Sequence, residues 1–168
     1  VFTGSTETAQ IIARAMADHM APGTPLIAET GGLNAMIVDS TALPEQAVRD
    51  IVASSFRSAG QRCSALRCLY VQEDIAPHLI AMIRGAMDEL RVGDPWSLAT
   101  DVGPVIDAEA QDGIDAYTEA NAARILHRVW APRQGHFIAP LLMKVNGIDD
   151  LDREVFGPVL HVATFRAD

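Results

Sequence analysis

Cysteine occurs twice in this sequence and lysine once, at Lys144, and no run of about 18 consecutive apolar residues exists. Each scarcity excludes something. Without a long apolar run there is no candidate membrane-spanning helix. Two cysteines five positions apart, Cys63 and Cys68, make neither a disulfide framework nor a zinc knuckle. The five histidines, at 19, 78, 127, 136 and 161, stand singly, and none is spaced with a cysteine or carboxylate as metal ligands are. No metal is therefore expected. No basic stripe exists to neutralise phosphates, so nucleic acid is not a partner. With nothing like a signal peptide and cysteine so sparse, the expected compartment is a reducing cytosol.

What is present is globular. Apolar residues make up 49% of the 168 positions, too many for intrinsic disorder and enough for one core without staples. The chain opens on Val1-Phe2-Thr3-Gly4 rather than on an initiator methionine, and the expectation is a segment of something longer. The net charge of −9 is unevenly spread: from Ile51 to Gln72 there is no acid, while Arg57, Arg62 and Arg67 are all cationic. Both cysteines fall in that window.

Hydrophobic periodicity predicts helices over Ser5–Met20, Pro44–Gly60, Ile75–Leu90 and Ala108–Ala123. Short apolar runs predict strands at Pro25–Ala28, Ala35–Val38, Arg67–Gln72, Arg124–Trp130, Phe137–Val145 and Val159–Phe165. Strands separated by helices imply an α/β layered fold with a mainly parallel sheet. Ligand sites in such sheets lie at the carboxyl ends of strands, so the loops after strands are the expected location of chemistry.

Several residues are candidates for that chemistry. Cys63 sits in Ser58-Ala59-Gly60-Gln61-Arg62-Cys63-Ser64-Ala65, with cations nearby of the kind that favour a thiolate nucleophile. The alternative is a buried apolar cysteine, which suits Cys68 in its strand better. Glu29 follows a short apolar run and precedes Thr30-Gly31-Gly32, a place suited to a general base and equally to an ordinary surface carboxylate. Phe2-Thr3-Gly4-Ser5 opens a helix whose free amides can hold a phosphate, although Ser is also simply a good cap. Glu154-Val155-Phe156-Gly157-Pro158 offers an acceptor and an aromatic face, or only a turn before a strand.

Each signal is weak alone, but their order is specific. Phe-Thr-Gly-Ser at the start, Glu-Thr-Gly-Gly from Glu29, Gly-Gln-Arg-Cys ending at Cys63 and Glu-Val-Phe-Gly-Pro from Glu154 together resemble the aldehyde dehydrogenase superfamily, nearly end to end. The Glu-Thr-Gly-Gly and Ser-Ala-Gly-Gln-Arg-Cys-Ser-Ala-Leu-Arg segments resemble its glutamate semialdehyde branch, especially the dehydrogenase domain of bifunctional proline utilization A proteins.

The resemblance implies a three-layer catalytic domain with a mainly parallel sheet, truncated and incomplete at its C-terminus over residues 29–168. Residues 1–28 would be the tail of a Rossmann-like NAD domain. It implies that Cys63 attacks the aldehyde of L-glutamate γ-semialdehyde, that the thiohemiacetal gives up hydride to NAD, and that Glu29 activates the water that hydrolyses the thioester. Gly4 and Ser5 match the pyrophosphate loop, Glu154 the nicotinamide-ribose acceptor and Phe156 the nicotinamide-packing aromatic. Ser64 matches a substrate-carboxylate contact, and Arg57 lies where relatives carry an aromatic near the aldehyde entrance. A homo-oligomeric parent is implied, with FAD only if a proline dehydrogenase domain is fused to it. An upstream oxyanion-holding Asn, the first strands of the cofactor domain, the substrate-anchoring loop and the oligomerisation hairpin lie outside these residues, so the isolated piece is expected to be inactive and to bind NAD weakly. Two alternatives stand beside this reading. One is another branch of the family, including the CoA-acylating members, against which Glu29 argues. The other is a non-catalytic scaffold.

Overall fold

The computed structural model describes residues 1–167. The chain divides into two compact units, Val1–Gly32 and a second from Leu33 onward. In the first, β1 (Phe2–Thr3) leads into α1 (Thr6–His19), and β2 (Ala28–Glu29) returns parallel to β1 with Thr3 opposite Glu29. Ser5 caps α1 as its position before the apolar pattern predicts: its hydroxyl accepts from the Thr8 N–H at 3.2 Å. Gly4 donates its N–H to the Glu29 carbonyl at 3.1 Å. A β-carbon on Gly4 would lie 2.6 Å from the tip of the Phe2 ring, which would have to turn aside to admit it.

The second unit is built on a five-stranded sheet. Its elements run β3 (Ala35–Val38), α2 (Pro44–Phe56), β4 (Cys68–Gln72), α3 (Ala76–Asp88), α4 (Ala108–Ala120), β5 (Ile125–Arg128), β6 (Leu141–Lys144) and β7 (Val159–Phe165). The strand order is β3-β4-β7-β6-β5, every neighbouring pair parallel except β5 with β6. The expected α/β fold with a mainly parallel sheet is therefore present. Alternation along β4 sends Leu69 and Val71 into the main core and Cys68 and Tyr70 into a smaller cluster with Val145, Leu151 and Ala163. Val48, Ile51 and Phe56 of α2 and Leu79, Ile83 and Met87 of α3 are the buried helical stripes, each such side chain contributing about 1.5–3 kcal/mol of transfer free energy.

The predicted helix over Pro44–Gly60 stops at Phe56, and the difference matters for the site. Its successor, Arg57–Gly60, is a tight turn in which Ser58 (φ 57°), Ala59 (φ 52°) and Gly60 (φ 67°) are all left-handed. A side chain takes over the end of the helix: Arg62 Nη2 donates at 2.7 Å to the carbonyl of Ser54, which one more helical residue would have used, and at 3.2 Å to that of Ala53, which also accepts the Arg57 N–H.

Candidate functional site

Parallel pairing decides which distant segments meet. β4 and β7 are adjacent and parallel, with Cys68 opposite His161, so the loops that enter them lie side by side at the same end of the sheet. One loop carries Cys63 and the other Glu154 and Phe156. In this unit the candidate residues therefore lie at the amino ends of strands, contrary to the carboxyl-end expectation. In the first unit Gly4 and Glu29 do lie at the carboxyl ends of β1 and β2. Glu29 and Ser5 are exposed there.

Cys63 is exposed and Cys68 buried. Burial pushes the Cys68 thiol up from its ordinary value, partly offset by a hydrogen bond from Tyr70. The turn bearing Cys63 is held from three directions. Asn34 Nδ2 donates to the carbonyls of Cys63 at 2.6 Å and Ala65 at 2.9 Å. Gln61 accepts from the Ile106 N–H at 2.8 Å and donates to the Pro104 carbonyl at 3.3 Å. From below, Arg67 Nη2 donates to the Gly60 carbonyl at 2.7 Å. Gly60 is obligatory: its φ is +67°, and a β-carbon would come within 2.1 Å of the Gly157 carbonyl oxygen.

Arg67 connects the two loops. It is 1% exposed, and its Nε and Nη2 donate to Glu154 Oε1 at 3.0 and 2.8 Å, with Nη1 on the Gly157 carbonyl at 2.9 Å. Its guanidinium carbon stands 5.4 Å from the centre of the Phe156 ring. Desolvation lowers the Arg67 pKa from its ordinary value, and the Glu154 carboxylate opposes that. The arginine-rich window thus holds less uncompensated charge than its composition indicates, because Arg67 is paired with Glu154. Behind this cluster, His161 is 1% exposed, with Nδ1 2.9 Å from the Arg67 carbonyl and Nε2 2.9 Å from the Tyr117 hydroxyl. A carbonyl can only accept, so Nδ1 carries the proton and Tyr117 donates to Nε2. Gln61, Ile106, Tyr117, Glu154 and Phe156 together line a cleft of about 210 Å³.

Ser64 is exposed beside Cys63. Arg57 is elsewhere: it lines a separate cleft of about 250 Å³ with Arg49, Phe56, Leu90 and Asp101, which includes neither Cys63 nor Ser64. Sequence reasoning did not single out Asn34, Tyr117 or His161, and it took Arg67 only as part of the cationic window. The signal for Arg67 was its position, an arginine at the mouth of the apolar run Cys68–Val71, where burial requires a partner; nothing local marked Glu154 as that partner, since Asp149, Asp150 and Asp152 stand just before it.

The family model for the aldehyde dehydrogenase family matches residues 1–168. The chain belongs to the aldehyde dehydrogenase family. The bifunctional protein PutA of Klebsiella aerogenes is 51% identical over 180 residues, a match covering 98% of this chain and 14% of that protein. A crystal structure of a Bradyrhizobium japonicum proline utilization A variant superposes with a TM-score of 0.94 at 53% identity, covering 98% of this chain and 17% of that one. Betaine aldehyde dehydrogenase of Staphylococcus aureus, in complex with NAD+, superposes with a TM-score of 0.90 at 28% identity, covering 99% of this chain and 34% of that one. The chain therefore spans about one seventh of the length of the PutA relative. Among the described residues no helix is long and apolar enough to cross a membrane, and no group of three or more candidate ligands forms a metal site.

Proposed function

We propose that this chain is the nucleophile-bearing part of an NAD-dependent aldehyde dehydrogenase that oxidises L-glutamate γ-semialdehyde to L-glutamate in proline catabolism. Family membership and the PutA relatives support the reaction class. The observation that carries the site is the common clamp on the exposed Cys63 turn and the Glu154–Phe156 loop, through Arg67.

The residues fit NAD. A carboxylate and a half-exposed aromatic face line one cleft, suiting a ribose hydroxyl and a flat ring. Gly4 and Ser5 open α1, where backbone N–H groups and the positive end of the helix dipole suit a pyrophosphate. Glu154, Phe156, Gly4 and Ser5 would hold the cofactor. Bound NAD supplies the acceptor for the hydride whose departure turns a thiohemiacetal into a thioester. Cys63 Sγ forms the bond to the aldehyde carbon. Glu29 takes a proton from water, the hydroxide equivalent adds to the thioester carbon, and the C–S bond breaks to release the acid and regenerate the thiolate. Ser64, beside the nucleophile, is the proposed contact for the anionic end of the substrate, whereas Arg57 lines its own cleft and is not placed to share that contact.

On this reading residues 1–28 belong to the cofactor domain and 29–168 to the catalytic domain of a longer, homo-oligomeric cytoplasmic protein. A fused proline dehydrogenase domain would bring its own FAD. The test is pre-steady-state kinetics on the full-length protein with semialdehyde and NAD. Cys63→Ala gives no NADH burst. Glu29→Gln gives a stoichiometric burst followed by turnover slowed roughly 10²- to 10⁴-fold. Undiminished steady-state turnover in either variant excludes the role assigned to that residue.

A further inference from the structure

Arg67 contacts no candidate reacting atom, yet it is where the nucleophile turn, Glu154 and Phe156 are joined, and we propose that it is a positioning residue for the cofactor end of the site. The proposal rests on the reading of Glu154 and Phe156 as NAD contacts. A buried cation is a poor way to stabilise a core, because desolvation offsets most of the attraction and apolar packing often does as well or better. What a guanidinium offers is geometry. Its N–H groups leave a rigid plane at fixed angles, which a lysine ammonium cannot imitate.

Here all three nitrogens of that plane are engaged. Nε and Nη2 converge on the single oxygen Oε1 of Glu154, which fixes where the carboxylate sits. Nη1 holds the Gly157 carbonyl and Nη2 the Gly60 carbonyl, so the loops are spaced by one side chain. The Phe156 ring lies 5.4 Å from the same guanidinium. Arg67 is itself held: its carbonyl accepts from the His161 N–H and from Nδ1, both at 2.9 Å, and His161 is fixed in turn by Tyr117, which lines the cleft with Glu154 and Phe156. The Cys63 turn has independent restraints in Asn34, Gln61 and Arg62. Loss of the fork should therefore displace Glu154 and Phe156 more than it displaces the thiol.

The experiment uses the full-length protein and four variants: Glu154→Gln, Arg67→Lys, Arg67→Gln, and Arg67→Lys combined with Glu154→Gln. NAD KM and kcat are measured with saturating aldehyde, and the rate of Cys63 alkylation by iodoacetamide is measured without NAD. Arg67→Lys is expected to lower kcat/KM for NAD roughly 10- to 100-fold, the scale of a misplaced reacting geometry, while alkylation keeps its wild-type rate. The double variant should be no worse than the poorer single one, because both changes break the same Arg67–Glu154 contact. Three results overturn the proposal: alkylation falling in parallel with kcat/KM, losses that multiply in the double variant, or failure of both Arg67 variants to fold, which assigns Arg67 to the fold alone. An unchanged NAD KM and kcat in Glu154→Gln overturns the cofactor reading of Glu154 itself and the proposal with it.

Discussion

Gly60 shows how much of this site depends on a single missing carbon. It completes three successive left-handed residues, and only there does the opposing backbone come so near: a β-carbon would stand 2.1 Å from the Gly157 carbonyl oxygen and 2.6 Å from its carbon. Backbone cannot swing aside as a side-chain tip can. Gly60→Ala therefore adds the left-handed cost to a steric displacement of the Phe156 loop, for about 2–5 kcal/mol of destabilisation. Ser58 is the control. It has nearly the same φ, is exposed, and contributes its carbonyl rather than its side chain to the turn. Ser58→Gly relieves the strain while enlarging the unfolded ensemble, so stability should hold or rise by up to about 1 kcal/mol. Thermal unfolding of both variants checks the pair. A mild Gly60→Ala would show that the two loops are not in the contact described.

At the scale of elements, the helices and strands were legible because each is short and sharply patterned. The stripe Leu79, Ile83, Met87 in α3 and the serine before α1 are local facts, and the structure follows them to within a few residues. The end of α2 was not legible, because the left-handed turn that follows Phe56 is supported by Arg62 reaching back to Ser54, a contact that periodicity cannot report. Nor was the side of the sheet: placing Cys63 and Glu154 before their strands is simple in the sequence, but knowing that β4 and β7 are neighbours requires the strand order. Motif order gave the candidate residues, whereas the side chains that bind them together, Asn34, Arg67 and His161, act through pairings that span 29, 87 and 44 residues, and local patterns carry none of these. One element has two readings that substitution can separate. Ser5 caps α1, and it is also proposed to face a pyrophosphate. Ser5→Asp keeps a strong cap and a favourable helix-dipole charge but sets a negative group against an anion. Unchanged melting with a raised NAD KM in the full-length protein is the expected result. An unchanged KM would leave Ser5 as a cap only.

For the whole second unit, stability and protonation are linked through His161, which sits where β4, β7 and α4 converge. It faces the Arg67 carbonyl and the Tyr117 hydroxyl, with Cys68 and Met143 opposite it on the flanking strands. Desolvation lowers its pKa from the ordinary 6.5, reinforced by the positive charges of Arg67 and Arg124, while the bond to the Arg67 carbonyl acts in the opposite direction. The folded state therefore keeps this ring neutral at a pH where the unfolded chain has already taken up a proton. Above the unfolded pKa neither state binds the proton and His161 contributes no pH dependence. Below it the unfolded state binds more, so stability falls as pH drops, with a limiting slope of about 1.4 kcal/mol per pH unit for one proton, until the folded state also protonates. Protonation of Nε2 would also turn the acceptor of the Tyr117 bond into a second donor, so the tie between α4 and β7 should open together with the sheet. Hydrogen exchange of the β4 and β7 amides in the full-length protein, corrected for intrinsic rates, should show flat protection from pH 8 to 7 and a decline below pH 6.5. His161→Gln should lower protection at every pH but remove that decline. A wild-type decline that survives in His161→Gln would assign the acid sensitivity to other groups, with Asp39 and Asp150 unable to account for it: hydrogen bonds from Thr41 and Asn146 lower their pKa values below 3.8, so their contributions are lost only in stronger acid.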